Sequence, residues 1–135
     1  GGLPAQEATA FGLLERLGQE GYKLAVVSNK PDRAVKGLVQ SHFGDLLPVA
    51  IGERSNMVRK PAPDMVLLAL EELGSEQGQA VYVGDSEVDL ETARNSGLPC
   101  VSVSWGFRDR AFLLEHGATH MADGVEELER ILHSL

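Results

Sequence analysis

The run Val83-Gly84-Asp85-Ser86-Glu87-Val88-Asp89 constrains this chain more than any other segment. It closes the apolar stretch Ala80-Val81-Tyr82-Val83 and opens a helical pattern over 87–96. A strand therefore passes to a helix through a glycine turn that carries two carboxylates four residues apart. Turns beyond the carboxyl ends of strands are where open α/β sheets bind ligands. Asp85 and Asp89 offer hard oxygen donors, the type Mg²⁺ prefers. Gly84 is expected to let the backbone turn sharply, and the helix amides behind it favour an anion. The competing reading is structural, with Asp85 or Ser86 as a helix N-cap and Asp89 as a solvated acid of the first turn.

The strand-turn-helix pattern recurs. Leu24-Ala25-Val26-Val27 stops at Ser28-Asn29-Lys30-Pro31-Asp32, and Arg59-Lys60-Pro61-Ala62-Pro63-Asp64 sets a lysine in a proline turn ahead of a helix. Apolar spacing predicts helices over 11–20, 33–42, 63–73, 87–96, 108–116 and 125–135. Strands are predicted over 22–28, 48–52, 80–84, 99–104 and 119–122, with Gly74 and Gly97 capping helices. Strands alternate with helices, and their apolar runs lack a two-residue period. Both features predict one α/β domain: a three-layer, doubly wound parallel sheet covered on both faces. Residues 1–10 read as a loop or tag remnant.

The chain has 135 residues and a net charge of -8, from 20 acids against 12 bases. That balance argues against nucleic acid and anionic membranes, since no basic stripe exists to neutralise phosphates. A phosphorylated substrate would have to be attracted locally, by a metal and a lysine. Cys100 is the single cysteine, so no internal disulfide forms and a reducing cytoplasm is the simplest setting. No signal peptide opens the chain, and no apolar run approaches the roughly 18 residues of a membrane span.

The ordered set Ser28, Lys60 and the Asp85/Asp89 pair resembles motifs two, three and four of the haloacid dehalogenase superfamily. SNKPD, RKPAPD and GDSEVDLETARNSG are most similar to its phosphoglycolate phosphatase-type branch, and the resemblance runs from about Phe11 to the C-terminus. It implies a Rossmann-like core and a Mg²⁺-dependent phosphatase acting on a small phosphorylated metabolite through an aspartyl phosphate. By the same resemblance Ser28 would hydrogen-bond a phosphate oxygen, and the Asn29 region would supply a backbone amide. Lys60 would neutralise nucleophile and phosphoryl group. Asp85 would ligate the metal directly, with Asp89 and Ser86 holding the metal or its waters. Mn²⁺ suits the same donors.

Each role has a plain competitor. Ser28 and Asn29 can be turn formers before Pro31, and Lys60 a solvated lysine. Asp64 reads as a helix-start acid. Arg33, Arg59, Arg108 and Arg110 read as solvated helix residues, with Trp105 or Arg108 at a rim or pocket wall. His42, His116, His120 and His133 read as surface or helix-end residues.

The superfamily's first motif, an Asp-x-Asp carrying nucleophile and general acid, has no counterpart: no Asp precedes Ser28. The resemblance therefore implies the C-terminal part of a longer phosphatase, without its cap domain. In the family sheet the first-motif strand lies between the Leu24 and Val81 strands, so its omission leaves a gap of about 9.6 Å. Buried unpaired backbone groups cost about 1–3 kcal/mol each. The gap is expected to close by pairing of its flanking strands, by a strand borrowed from a second copy, or by the missing N-terminal segment. The alternative function is a non-catalytic phosphate- or partner-binding module. A receiver-like signalling domain would place its acids early and its lysine late, the reverse of the order here. Dehalogenases proper use no metal, and mutase chemistry depends on the absent cap.

Overall fold

The computed structural model describes residues 9–135; the rest of the expected leading loop lies outside the described residues. Ala10 begins the first helix and Thr9 caps it, where the loop was expected to continue. The Thr9 side chain accepts the Gly12 amide at 3.1 Å and caps α1, Ala10–Gln19. The order then runs β1 Ala25–Pro31, α2 Asp32–His42, β2 Val49–Glu53, α3 Asp64–Leu73, β3 Tyr82–Gly84 and α4 Glu87–Ser96. β4 Cys100–Val103, α5 Arg110–Glu115, β5 His120–Ala122 and α6 Val125–Ser134 complete it. Gly74 and Gly97 end α3 and α4 in left-handed conformations, at φ 68° and 74°, which glycine adopts without a Cβ penalty.

Every strand pairing is parallel. The strands form two sheets, though: β1-β2, and β3-β4-β5. Of the three ways in which the gap was expected to close, pairing of the flanking strands is corrected, because β1 and β3 do not pair. Between them lies a cavity of about 670 Å³.

Helices cover both faces. On one, Val35 and Val39 of α2 pack on Val26 and Ala50, while Leu13 and Leu17 of α1 join Leu128 of α6 over Val101 and Val103. On the other, Met65 and Ala69 of α3 pack on Val49 and Ile51, and Val66 and Leu70 pack on Tyr82 and Ala93. Alternate residues of β1 thus serve opposite layers, as the pleat requires. α1 and α3 each touch both half-sheets. That is why the halves keep their places without a shared strand ladder.

β1 ends later than expected. Its register breaks between Val27 and Pro31, and Pro31 still pairs with Glu53. Ser28, Asn29 and Lys30 fill the irregular stretch, a bulge that redirects side chains. β3 starts two residues later than expected, at Tyr82. α5 begins at Arg110, with Asp109 accepting the Phe112 amide at 2.9 Å as its cap. Arg108 is accordingly a loop residue instead of a helical one. Among the described residues no helix is long and apolar enough to cross a membrane.

Candidate active site

The carboxyl ends of β1 and β3 converge on Lys60. Asn29, in the β1 bulge, grips the lysine backbone on both sides: its amide donates to the Lys60 carbonyl at 3.1 Å and its oxygen accepts the Lys60 N–H at 2.9 Å. Asn95 of α4 holds the next carbonyl, that of Pro61, at 2.8 Å. Two asparagines from different elements thus aim one side chain. Asn29 commits its side chain to this clamp, which leaves only its backbone for the expected phosphate contact.

Lys60 Nζ reaches Asp89 Oδ1 at 2.9 Å and the Tyr82 hydroxyl at 3.1 Å. Tyr82 in turn donates to Asp89 Oδ1 at 3.0 Å. The other Asp89 oxygen accepts the Asp85 amide at 3.0 Å and the Ser86 hydroxyl at 3.1 Å. Asp89 is 6% exposed and the Lys60 side chain 13% exposed. The readings of a solvated lysine and a solvated first-turn acid are both corrected. Burial pushes the Asp89 carboxyl up, but Lys60 and the donors around it outweigh that and hold it below the usual carboxylate range. Burial, with the Asp89 charge beside it, pushes the Tyr82 phenol up, so it remains a donor.

Gly84 is required for a different reason than a sharp turn. Its φ is not positive. A Cβ there would stand 2.2 Å from Asp89 Cβ, so the glycine is what lets Asp89 fold back over the strand end. Gly106 does the same for Asp85, whose Oδ2 would lie 2.3 Å from a Cβ at that position.

Asp85 projects from the turn that Ser86 caps as the start of α4. Its Oδ2 accepts the Phe107 amide at 3.0 Å, and its carbonyl accepts the Arg108 amide at 3.0 Å. Among the described residues no hydrogen bond reaches Oδ1. Arg108 pairs with Glu87 through two bonds of 3.0 Å, and its guanidinium lies 4.4 Å and 4.3 Å from the rings of Phe107 and Phe112. The 105–108 loop therefore latches onto the turn that presents Asp85. Ser28 Oγ accepts the Lys30 amide at 3.2 Å, which leaves its hydroxyl proton for an outside acceptor.

As a test of metal fit, Asp89 has both oxygens taken by internal donors, whereas Asp85 keeps one open. Mg²⁺ is commonly held by one or two carboxylates and several waters, so Asp85 fits a direct ligand and Asp89 fits a support. Among the described residues, the cluster with cation-binding spacing is Glu20, Glu129 and His133, which the reading of His133 as a helix-end residue missed. Arg16 already holds Glu129 there at 2.8 Å.

Sequence reasoning missed Tyr82, Asn95, Gly106 and Phe107. A tyrosine inside an otherwise aliphatic strand was the available signal for the first. The others become visible only once two loops meet.

Residues 8–103 match the haloacid dehalogenase-like hydrolase family. A phosphoglycolate phosphatase of Xanthomonas campestris pv. campestris is 37% identical over 97 residues, 71% of this chain and 44% of that protein. A pyrophosphatase PpaX of Bacillus cereus is 29% identical over 134 residues, 98% of this chain and 62% of that protein. A crystal structure from Lactobacillus delbrueckii subsp. bulgaricus, described provisionally as a phosphoglycolate phosphatase, superposes with a TM-score of 0.89 at 48% identity. It covers 90% of this chain and 51% of its own. The chain spans about half the length of the proteins it matches.

Proposed function

The chain belongs to the haloacid dehalogenase-like hydrolase family, and on that premise we propose that it is the phosphate- and metal-binding part of a phosphoglycolate phosphatase-type enzyme. The observation that carries this reading is the aimed lysine. An ammonium has three donors, and Lys60 commits two, to Asp89 and Tyr82. The third is left for a phosphoryl oxygen. Because Asp89 and the Asn29 clamp hold the side chain in place, little reorganisation is needed as negative charge develops.

Around that donor the other residues divide the work. Ser28 donates its hydroxyl to a second phosphoryl oxygen. The Asn29 backbone amide lies next in the chain, in the same bulge. Asp85, with one carboxylate oxygen open, would hold Mg²⁺, and such an ion would supply charge neutralisation to the phosphate. Asp89 and Ser86 fix the turn that presents Asp85. The Phe107 amide fixes the orientation of the Asp85 carboxylate. We place the attacking aspartate outside these residues, because Asp85 and Asp89 are the carboxylates bound into this network and both have other duties. With its lone thiol at Cys100, the protein is assigned to a reducing cytoplasm.

A second reading, a phosphate-binding module without turnover, is favoured because, among the described residues, Asp85 and Asp89 are the aspartates of this network and both are committed. The two part experimentally. The chain is fused to the complementary half of its Lactobacillus relative and assayed with Mg²⁺ on 2-phosphoglycolate, pyrophosphate and p-nitrophenyl phosphate. The enzyme reading expects release, faster for the phosphomonoesters, that Lys60→Ala lowers at least about 10²-fold and Asp85→Ala comparably. Fusions that bind phosphate yet release none, or release indifferent to both variants, would overturn it.

A further inference from the structure

α1 and α6 pack together through Leu13, Leu17 and Leu128, and beside that apolar seam their polar residues converge. Glu20 caps the carboxyl end of α1, just ahead of β1. Glu129 and His133 stand four residues apart on α6, the helix that follows β5, and residues at that spacing share a helix face. The cluster therefore sits at the amino edge of the strands, the edge opposite Lys60. Ligand atoms of Glu20, Glu129 and His133 all lie within 4.8 Å of one another. His133 Nε2 stands 2.7 Å from Glu20 Oε2, and the Tyr22 ring lies 6.3 Å from the imidazole.

We propose that these three side chains form a second cation site, for Zn²⁺, that clasps α1 to α6. One imidazole nitrogen with two carboxylates is a donor set that Zn²⁺ takes, whereas Mg²⁺ prefers oxygen donors throughout. Bonds of about 2.1 Å place neighbouring ligand atoms of a tetrahedral site about 3.4 Å apart. The His133–Glu20 contact of 2.7 Å thus opens by about 0.7 Å to admit the ion. The ion takes the place of the proton between imidazole and carboxylate, as ligand deprotonation requires.

Arg16 supports the site instead of blocking it. Its Nη2 and Nε donate to Glu129 Oε1 at 2.8 and 3.1 Å, and Nε alone reaches Oε2, at 3.1 Å. Oε2 is the oxygen left to turn toward the ion, while the guanidinium orients the carboxylate from behind, as partners of metal-bound carboxylates do. The Glu20 and His133 side chains are 40% and 44% exposed, which leaves the fourth position to water. The clasp joins two helices from opposite ends of the described chain, so the ion acts on stability. The proposal is independent of the phosphatase reading.

The test titrates the 135-residue chain, stripped of metal with a chelator, with Zn²⁺ at a pH above the ordinary histidine value of about 6.5. Calorimetry counts the ions, imidazole nitrogen spectra locate them, and thermal unfolding reads the clasp. His133 is expected to shift while His42, His116 and His120 do not, and the unfolding midpoint to rise with Zn²⁺. His133→Ala and Glu20→Ala, both at well-exposed side chains, are expected to weaken binding at least about tenfold and to abolish the rise. Asp85→Ala is expected to leave the His133 shift in place. No binding, binding indifferent to the His133 and Glu20 variants, or equal shifts at every histidine overturns the proposal. Binding lost only with Asp85→Ala also overturns it, by placing the ion at the candidate active site.

Discussion

Asp89 shows how much one residue carries. Four donors converge on its two oxygens, and one of them is a largely buried cation. Removing a partner from such a pair leaves an uncompensated charge, so Asp89→Ala is expected to cost about 3–5 kcal/mol in chemical denaturation. Tyr82→Phe removes a single hydroxyl and is expected to cost about 1 kcal/mol. Gly84→Ala must displace Asp89, and the same measurement should show a loss of about 1–3 kcal/mol, although the backbone there suits any residue. The sequence pattern pointed to Asp85 and Asp89 through their spacing at a strand-to-helix turn, and the resemblance to the family's ordered motifs added Ser28 and Lys60. It was silent on Tyr82, and it assigned Gly84 a turn it does not make, because the crowding comes from a side chain five residues on.

At the scale of elements, the start of α2 is tied to β2 by charge. Asp32 accepts from Lys36 at 2.6 Å and from the Gly52 amide at 2.9 Å, with Arg54 at 3.3 Å. Burial opposes ionisation, but these partners prevail and hold its carboxyl at about 2, below the ordinary 3.8. A depressed folded pKa stabilises the ionised state above the unfolded value. The contribution is thus complete above about pH 4 and lost as pH falls from 3.8 to about 2. With its side chain 22% exposed, Asp32→Asn is expected to cost about 1 kcal/mol at pH 7 after solvent screening. The gap between the two proteins' urea midpoints should vanish toward pH 2. The Arg108–Glu87 latch is only half-buried, with side chains 35% and 33% exposed, and behaves differently. Arg108→Ala should leave the unfolding midpoint nearly unchanged while slowing the fused phosphatase, because it frees the loop whose Phe107 amide orients Asp85. Element order and type were readable from apolar spacing and caps. The bulge at Ser28–Lys30 and the 105–108 latch were not, since each depends on a partner distant in sequence.

Across the whole molecule, local signals specified parallel strands and two helical layers, and the layers formed. Strand pairing across the middle did not: β1 and β3 stay separate edges, and side chains of α1 and α3 line the cavity between them. Closing the cavity would mean unpacking Leu13, Leu17, Val66 and Leu70. A gap of this kind is invisible to residue spacing: the apolar run 24–27 reads the same whether one edge or two are paired. On the proposed reading, the molecule sets Ser28, Lys60 and Asp85 for phosphate and metal beside an open cavity. The measurement that tests this account most directly is phosphate release from 2-phosphoglycolate with Mg²⁺, by the chain alone and by the chain joined to a complementary half. The account predicts release only from the joined protein. Comparable release from the chain alone, abolished by Asp85→Ala, would contradict it, because the nucleophile would then lie among the residues described.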